Sequence, residues 1–262
     1  MITMTNMKKA AVSFFAISAL CLAMTSQAQA VPVDVELSLV WDVSGSISAS
    51  EYDLQRQGYA NAFQSAAVQN AINSGTNQSI AVQVVQFGTN AIVSTGWNLV
   101  TSATASNFGT FLSTLGRENT GLSTSIARGI QISAANLLSN NGFEGLKMVM
   151  DVSGDGEENV GANPTSVTQQ RDLAVASGII INGLPIVTSS FPNLDDYYTN
   201  NVIGGTDAFV QVANGFGDFE SAITAKLVNE IGGTTPTPEP SSMILLGSGL
   251  IGLVGYRMTK RA

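Results

Sequence analysis

Short apolar runs alternate with amphipathic segments along most of the chain. Residues 33–42 alternate apolar and polar side chains and then become continuously apolar, which predicts a strand that enters a buried sheet. Further runs predict strands at 79–88, 91–99, 146–154, 179–187 and 208–213, with 91–99 at an edge of the sheet, and helices at 50–72, 104–115, 124–139, 164–178 and 218–231.

The order of these elements predicts the fold class. Strands that alternate with helices favour a mostly parallel sheet covered on both faces, so we expect a doubly wound α/β domain. No internal repeat interrupts this order. Ligands of such folds bind beyond the carboxyl ends of the strands, so polar residues at those ends are the first candidates for function.

The first predicted helix has a clear start. Ser50 is expected to cap its N-terminus, with Glu51 and Asp53 in the first turn. The helix is expected to run to about Ile72 with an apolar face made of Leu54, Tyr59, Ala62, Phe63, Ala66 and Ala67.

The N-terminus has the composition of an export signal. Lys8 and Lys9 precede an apolar stretch, and the small residues Ala28 and Ala30 follow it. This order predicts a secretory signal peptide over residues 1–30.

The C-terminus has the composition of a membrane anchor. A Gly/Thr/Pro-rich linker at 233–240 leads into 241–262, where fourteen mostly apolar residues precede a basic end. Fourteen residues are short for a span, which needs about 20. The basic end is expected to stay in the cytoplasm, so the tail would hold an exported protein transiently in the inner membrane.

The same tail resembles a known sorting signal. Pro238, Glu239 and Pro240, followed by two serines, a glycine-rich apolar stretch and a basic end, are similar to the PEP-CTERM signal of Gram-negative bacteria. The resemblance implies that an exosortase recognises and removes the tail, which leaves the protein released or at the cell surface. A plain membrane anchor fits the length and charge equally well.

Composition excludes several kinds of chemistry. The chain has no histidine, and its one cysteine, Cys21, leaves with the signal peptide. Disulfides, thiol catalysis, the Ser-His-Asp triad and the usual zinc ligands are therefore absent. The exported body, residues 31–240, has six basic and nineteen acidic residues, a formal charge of −13. Such a body repels nucleic acid and anionic membranes and suits cation binding.

Candidate chemistry begins at the end of the first strand. Asp42, Ser44 and Ser46 follow it at two-residue spacing, so their side chains can turn to the same side of one loop. One carboxylate and two hydroxyls form a hard-oxygen group that suits Mg²⁺, or Ca²⁺ or Mn²⁺, rather than zinc. An ordinary Asx or serine turn is the alternative for this motif alone.

Two later stretches complete a pattern. "GLSTSIARGI" places Thr124 at the start of a predicted helix, and "VMDVSGDGEEN" places Asp155 just after a predicted strand. With the Asp-x-Ser-x-Ser motif they resemble the metal-ion-dependent adhesion site (MIDAS) of the von Willebrand factor A (VWA) domain. The resemblance covers about 34–232, and "RDLAVASGIIINGLPI" is similar to a secreted bacterial subgroup of these domains.

The resemblance implies roles for five residues. Ser44, Ser46 and Thr124 would bind one divalent ion directly. Asp42 and Asp155 would bind it directly or through water. Ser123 and Ser125 remain alternatives to Thr124, which could also be a simple helix cap. An EF-hand loop is rejected because Ala162 stands where the final Glu is needed.

These features predict a binding module at the cell surface or in the extracellular matrix. The ion would accept a carboxylate from a protein or an acidic polysaccharide, and loop residues would give specificity; the candidates are Asn119, Thr120, Leu122, Glu157 and Asn159, with Glu157 and Glu158 expected to form a solvated acidic rim. A matrix protein without metal-bridged binding is one alternative. A Mg²⁺-dependent hydrolase is another, but Ser44 stands where that chemistry needs a second acid, so we expect no enzyme.

Overall fold

The computed structural model describes residues 29–160 and 167–232. The predicted signal peptide up to residue 28, the linker, the tail and the helix start at Pro164 lie outside the described residues.

The described residues form five strands and seven α-helices. The strands are β1 (Val31–Asp42), β2 (Ser79–Phe87), β3 (Ala91–Thr101), β4 (Phe143–Gly154) and β5 (Ile179–Pro185). The helices are α1 (Ala49–Gln64), α2 (Ala66–Ser74), α3 (Ala105–Leu112), α4 (Ile126–Leu137), α5 (Val167–Ala176), α6 (Leu194–Tyr197) and α7 (Phe219–Gly232), with a π-helical turn at Tyr198–Val202 and a 3-10 turn at Phe216–Asp218.

The strands form one sheet in the order β3-β2-β1-β4-β5. β1 runs parallel to β2 and β4, β4 runs parallel to β5, and only β3 is antiparallel to its neighbour. This arrangement confirms the predicted doubly wound α/β fold. At the end of β1, Asp42 is paired with Phe87 of β2, and Trp41 is paired with Ser153 of β4. The carboxyl ends of the three central strands therefore meet where the candidate residues lie.

Helices cover the sheet on both faces. On one face α1, α2, α3 and α7 enclose a core in which Trp41 stacks on Tyr59 with ring centroids 4.5 Å apart. The other core lies beneath α4 and α5 and includes Val40, the strand neighbour of Trp41. Among the described residues, both cores draw on residues between Val35 and Ile231, so the exported body contains a complete core.

The predicted helix at 50–72 is wrong in two respects. It is two helices, because Ser65 leaves the helical conformation and caps α2 with its side chain. The first helix also starts earlier: Ser48, not Ser50, makes the capping box with Glu51. Tyr59, Ala62 and Phe63 are buried as predicted, whereas three other members of the expected apolar face are exposed: Leu54, Ala66 and Ala67.

The predicted strand at 208–213 is also wrong. This segment touches β5 only through isolated bridges at Val210 and Ala213. Gly183 and Val187 of the β5 side donate backbone hydrogen bonds to it, but Pro185 between them has no N–H to donate. The ladder is interrupted at that point.

A buried ion cluster ties α7 to the sheet. The Lys226 ammonium lies 2.9 Å from Asp151 Oδ1 and 2.5 Å from Glu230 Oε1, and all three side chains are buried. Asn182 donates a further hydrogen bond to Glu230. Burial, with the nearby Asp151 charge, raises the pKa of Glu230 to about 8. Burial raises the pKa of Asp151 as well, so the Lys226 ammonium faces two carboxyl groups whose charged forms are both disfavoured by burial.

We predict that Lys226→Met destabilises the exported body by about 3–5 kcal/mol, the usual cost of leaving buried charges unpaired. Urea unfolding measures the loss. Lys147→Met is the matched control, since Lys147 is only partly buried and forms no ion pair with the described residues. Equal effects of the two substitutions would contradict the structural role of the cluster.

A second prediction concerns pH. The pKa of Glu230 is about 8 in the folded protein and about 4.3 when unfolded, so the folded state holds an extra proton between these values. The free energy of unfolding should therefore fall as pH rises from 5 to 8. Glu230→Gln, which keeps an oxygen for Lys226, should make that fall smaller in urea titrations at each pH. An unchanged slope would show that Glu230 does not hold the proton.

Candidate metal centre

Three loops bring the five predicted residues together at the carboxyl edge of the sheet. Asp42, Ser44 and Ser46 follow β1, Thr124 lies just before α4, and Asp155 follows β4. Because these elements pack side by side, residues separated by up to 113 positions meet in one cluster.

A chain of hydroxyl contacts joins four of them. Thr124 Oγ1 donates to Ser44 Oγ at 3.1 Å, and Ser44 Oγ lies 3.2 Å from Ser46 Oγ. Ser46 Oγ in turn donates to Asp155 Oδ1 at 2.6 Å. Ser46 is exposed whereas Ser44, Thr124 and Asp155 are buried, so the cluster opens to solvent on the Ser46 side.

Asp42 lies at the closed side of the cluster and is fully buried. Its Oδ1 accepts a hydrogen bond from Ser44 N–H at 2.8 Å, as in an Asx turn. Its Oδ2 is buried and accepts no hydrogen bond from the described residues. Burial raises the pKa of Asp42 to about 7, partly opposed by the hydrogen bonds from Ser44. An Asx turn alone leaves this second oxygen unexplained.

The donor set fits a hard divalent cation. It offers two carboxylates and three hydroxyls, all oxygen, and burial raises the pKa of Asp155 as well as that of Asp42. A cation favours the charged form of both groups and so reverses the cost of burying them. In the described ranges no three acidic side chains gather into a metal-binding cluster, so hydroxyl oxygens are indispensable to any metal site here.

The structure distinguishes Thr124 from its neighbours. Ser125, not Thr124, caps α4, since its side chain accepts from Arg128 N–H. Ser123 N–H donates to Thr89. The Thr124 hydroxyl contacts Ser44, which makes it the hydroxyl of this loop that joins the cluster.

Glu158 and Asn159, which follow Asp155 along the chain, hold the loop that contains Thr124. Asn159 Oδ1 accepts from Thr124 N–H at 2.8 Å, and Asn159 N–H donates to Thr124 O at 2.9 Å. Glu158 Oε2 accepts from Ala127 N–H in the first turn of α4. The expectation that Glu158 belongs to a solvated rim is therefore wrong, because its carboxylate caps the helix that Thr124 precedes.

Arg117 is a structural residue that the sequence pattern did not identify. Its Nη2 donates to Val43 O at 2.9 Å and to Ser44 O at 2.7 Å, and so holds the backbone of the first loop. Its signal in the sequence is that it is the first charged residue after the uncharged stretch 57–116.

Gly154 has to be a glycine for Asp42 to fit. A Cβ at this position would lie 2.8 Å from Asp42 Oδ2 and 2.9 Å from the Tyr198 hydroxyl. The strand end of β4 therefore packs directly on the buried carboxylate. Gly156, two residues later, has room for a Cβ, which would make ordinary van der Waals contact with Thr124 Oγ1 at 3.6 Å.

The expected rim is only partly at the surface. Asn119, Glu157 and Asn159 are exposed, and Leu122 is 83% exposed, but Thr120 is buried at the base of the loop. Leu122 and Asn119 border a groove of about 400 Å³ that also touches Arg117 and the first loop.

The fold is that of a VWA-like domain. Comparison with known proteins agrees with this class. The chain belongs to the family described as "Protein of unknown function (DUF1194)", whose model matches residues 32–235. A PEP-CTERM protein-sorting motif matches residues 236–261, which indicates an exported protein with a C-terminal sorting tail. No curated protein matches the sequence.

Solved structures with a similar fold include matrix and adhesion proteins. Proximal thread matrix protein 1 from the mussel byssus, with a zinc-occupied MIDAS motif, has a TM-score of 0.57 at 17% identity over 78% of this chain and 49% of its own. The pilus adhesin SpaC from Lactobacillus rhamnosus GG has a TM-score of 0.54 at 14% identity, over 76% of this chain and 31% of its own. A von Willebrand factor type A protein from Catenulispora acidiphila has a TM-score of 0.51 at 13% identity, over 77% of this chain and 43% of its own.

These likenesses concern the fold. The present chain spans about half or less of the length of each of these proteins. Within residues 29–160 and 167–232, no helix is both long and apolar enough to cross a membrane.

We predict that Gly154→Ala lowers the free energy of unfolding of the exported body by about 1–3 kcal/mol, the usual cost of overpacking. The added methyl group would press on Asp42 and Tyr198. Gly156→Ala is the matched control and should be nearly neutral. Urea unfolding in EDTA measures both, and equal stability of the two variants would contradict the close packing at Asp42.

Proposed function

We propose that this chain is an exported binding module whose ligand is held through a divalent metal ion. Asp42, Ser44, Ser46, Thr124 and Asp155 would hold the ion. The observation that supports this most strongly is the buried, unpartnered Oδ2 of Asp42 beside a chain of hydroxyls that opens to solvent.

The donor set favours binding rather than catalysis. A bound divalent ion supplies positive charge for an anionic oxygen of a ligand. Two carboxylates offset a charge of +2 without exceeding it, so the ion remains attractive to another anion. Ser44 stands two residues after Asp42, where phosphoryl-transfer chemistry would need an acid or base. Mg²⁺ fits these oxygen ligands best, with Ca²⁺ and Mn²⁺ as alternatives.

The surroundings of the site favour a ligand with both acidic and apolar parts. Leu122 presents an exposed apolar side chain beside the groove, and the Arg117 guanidinium lies along the same wall. An acidic group on a protein or polysaccharide would reach the ion, while neighbouring groups would contact this wall. The partner is therefore a carboxylate-bearing macromolecule.

The two ends would deliver this module to its place of action. Residues 1–30 would act as a signal peptide, 31–232 as the VWA-like domain, 233–240 as a linker and 241–262 as the sorting segment. Transient anchoring in the inner membrane would precede exosortase processing and release to the cell surface or the matrix.

We predict that millimolar Mg²⁺, Ca²⁺ or Mn²⁺ raises the melting temperature of the exported body above its value in EDTA. At 100 times the dissociation constant, binding stabilises by about 2.7 kcal/mol. That corresponds to roughly 5–10 °C for a domain of this size. Differential scanning calorimetry measures the shift.

Two variants make this experiment specific. Asp42→Asn keeps the acceptor for Ser44 but removes the charge, and it should abolish the shift. Asp53→Asn removes an exposed acid whose ion-pair partner among the described residues is Arg56, and it should leave the shift intact. A shift that survives in Asp42→Asn, or no shift with any of these ions in the wild type, would overturn the proposed site.

Ligand capture tests the function beyond the metal. Immobilised exported body is exposed to secreted polysaccharide and, separately, to secreted protein, with Mg²⁺ or with EDTA. Metal-bridged binding predicts that capture in Mg²⁺ is lost in EDTA and in Asp42→Asn. Capture that EDTA leaves unchanged would instead support a matrix role without metal-bridged binding.

A further inference from the structure

The two edges of the sheet differ in whether another segment of the chain covers them. Beside β5, the chain around 204–213 covers the edge through hydrogen bonds that include Ile181 N–H to Gly204 O and Gly183 N–H to Phe209 O. Beside β3, no described segment does the same: the backbone of 92–100 makes no backbone hydrogen bond with any described strand or loop except β2. β3 therefore presents a row of backbone donors and acceptors that no neighbouring backbone of the described residues covers, although Gly96 O accepts a hydrogen bond from Asn98 Nδ2.

The open edge lacks charged residues and proline, and a bulged middle is its one protective feature. Edge strands are commonly guarded by lysine, other charged residues or proline, and β3 contains none of these. Three of its large apolar side chains are exposed: Ile92 at 39%, Val93 at 36% and Leu99 at 46%. Two register shifts against β2 bend its middle, but pairing is regular on either side of them.

Charge indicates what could lie against this edge. The exported body carries −13, so two copies repel each other across most of their surfaces. The whole stretch 57–116, which contains β2, β3 and α3, has no charged residue. An approach through β3 therefore brings together the least charged parts of two copies.

We propose that β3 is a self-association surface at which two copies of this chain pair edge to edge. A strand that meets its own copy about a two-fold axis runs antiparallel to it, so the same residues contact each other on both sides. The two five-stranded sheets would then continue as one ten-stranded sheet. This surface is separate from the metal cluster and does not depend on the proposed metal-bridged function.

One pair of edge strands gives a weak contact. Eleven residues of antiparallel strand span about 37 Å and form a small interface, below the roughly 1,000 Å² of a stable one. We expect a weak dimer with a dissociation constant between about 10 µM and 1 mM, so that it forms over that range of protein concentration.

Sedimentation velocity of the exported body over that concentration range tests the proposal. The double variant Ile92→Lys/Leu99→Lys should weaken the dimer at least tenfold. The control Leu138→Lys/Leu173→Lys adds the same charge at two exposed leucines outside β3, the C-cap of α4 and a residue of α5, and should leave dimerisation intact or slightly stronger. Thermal melts of both variants confirm that each is folded.

A single cysteine tests the geometry. The exported body has no cysteine, and a Cβ at Gly96, the middle of β3, has open space around it. Gly96→Cys should form a disulfide dimer under mild oxidation, whereas Leu173→Cys should remain monomeric.

Three outcomes would overturn the proposal: a wild-type protein that stays monomeric at 1 mM, a dimer that the edge lysines do not weaken, or equal crosslinking of both cysteine variants. Repeating sedimentation in EDTA separates this surface from the metal site, because edge pairing should persist there. A dimer that dissociates in EDTA would assign the contact to the metal cluster instead.

Discussion

The site depends on the burial of one carboxylate at the end of the central strand. Asp42 is the last residue of β1, which has a strand on either side and helices on both faces, so its side chain is fully buried. A buried carboxylate needs compensating partners. Ser44 N–H donates to one of its oxygens, and Gly154 packs on one side of the other, which accepts no hydrogen bond from the described residues. Everything else in the cluster is arranged around this constraint.

The sequence predicted the parts of the structure that local patterns determine. The fold class followed from alternating strands and helices, and four strands have nearly the expected bounds. Asp42, Ser44, Ser46 and Asp155 could be placed at strand ends because parallel strands bring their carboxyl ends to one edge. The break at Ser65 was missed because alanines on both sides continue the helical pattern. The strand predicted at 208–213 does not form because Pro185, distant in sequence, interrupts its ladder.

Long-range partners could not be predicted. Arg117 acts on the backbone of a loop more than seventy positions earlier, and Glu158 caps a helix that begins thirty-two positions before it. Lys226 has Glu230 four positions later on its own helix, but its contact with Asp151 depends on where α7 packs against the sheet. None of these pairings has a sequence period, since each depends on which loops meet after the sheet has formed.

The charge of the body gives the proposed metal a further role. An exported body with a formal charge of −13 would repel a carboxylate-bearing partner at most points of its surface. A divalent ion among only two carboxylates and three hydroxyls would reverse that repulsion locally, while a third carboxylate would leave the site net negative. The use of serine and threonine where acids could stand is thus consistent with attraction of an anion. The same acidity would keep copies apart in solution, which makes the uncharged stretch 57–116 the natural place for any contact between them.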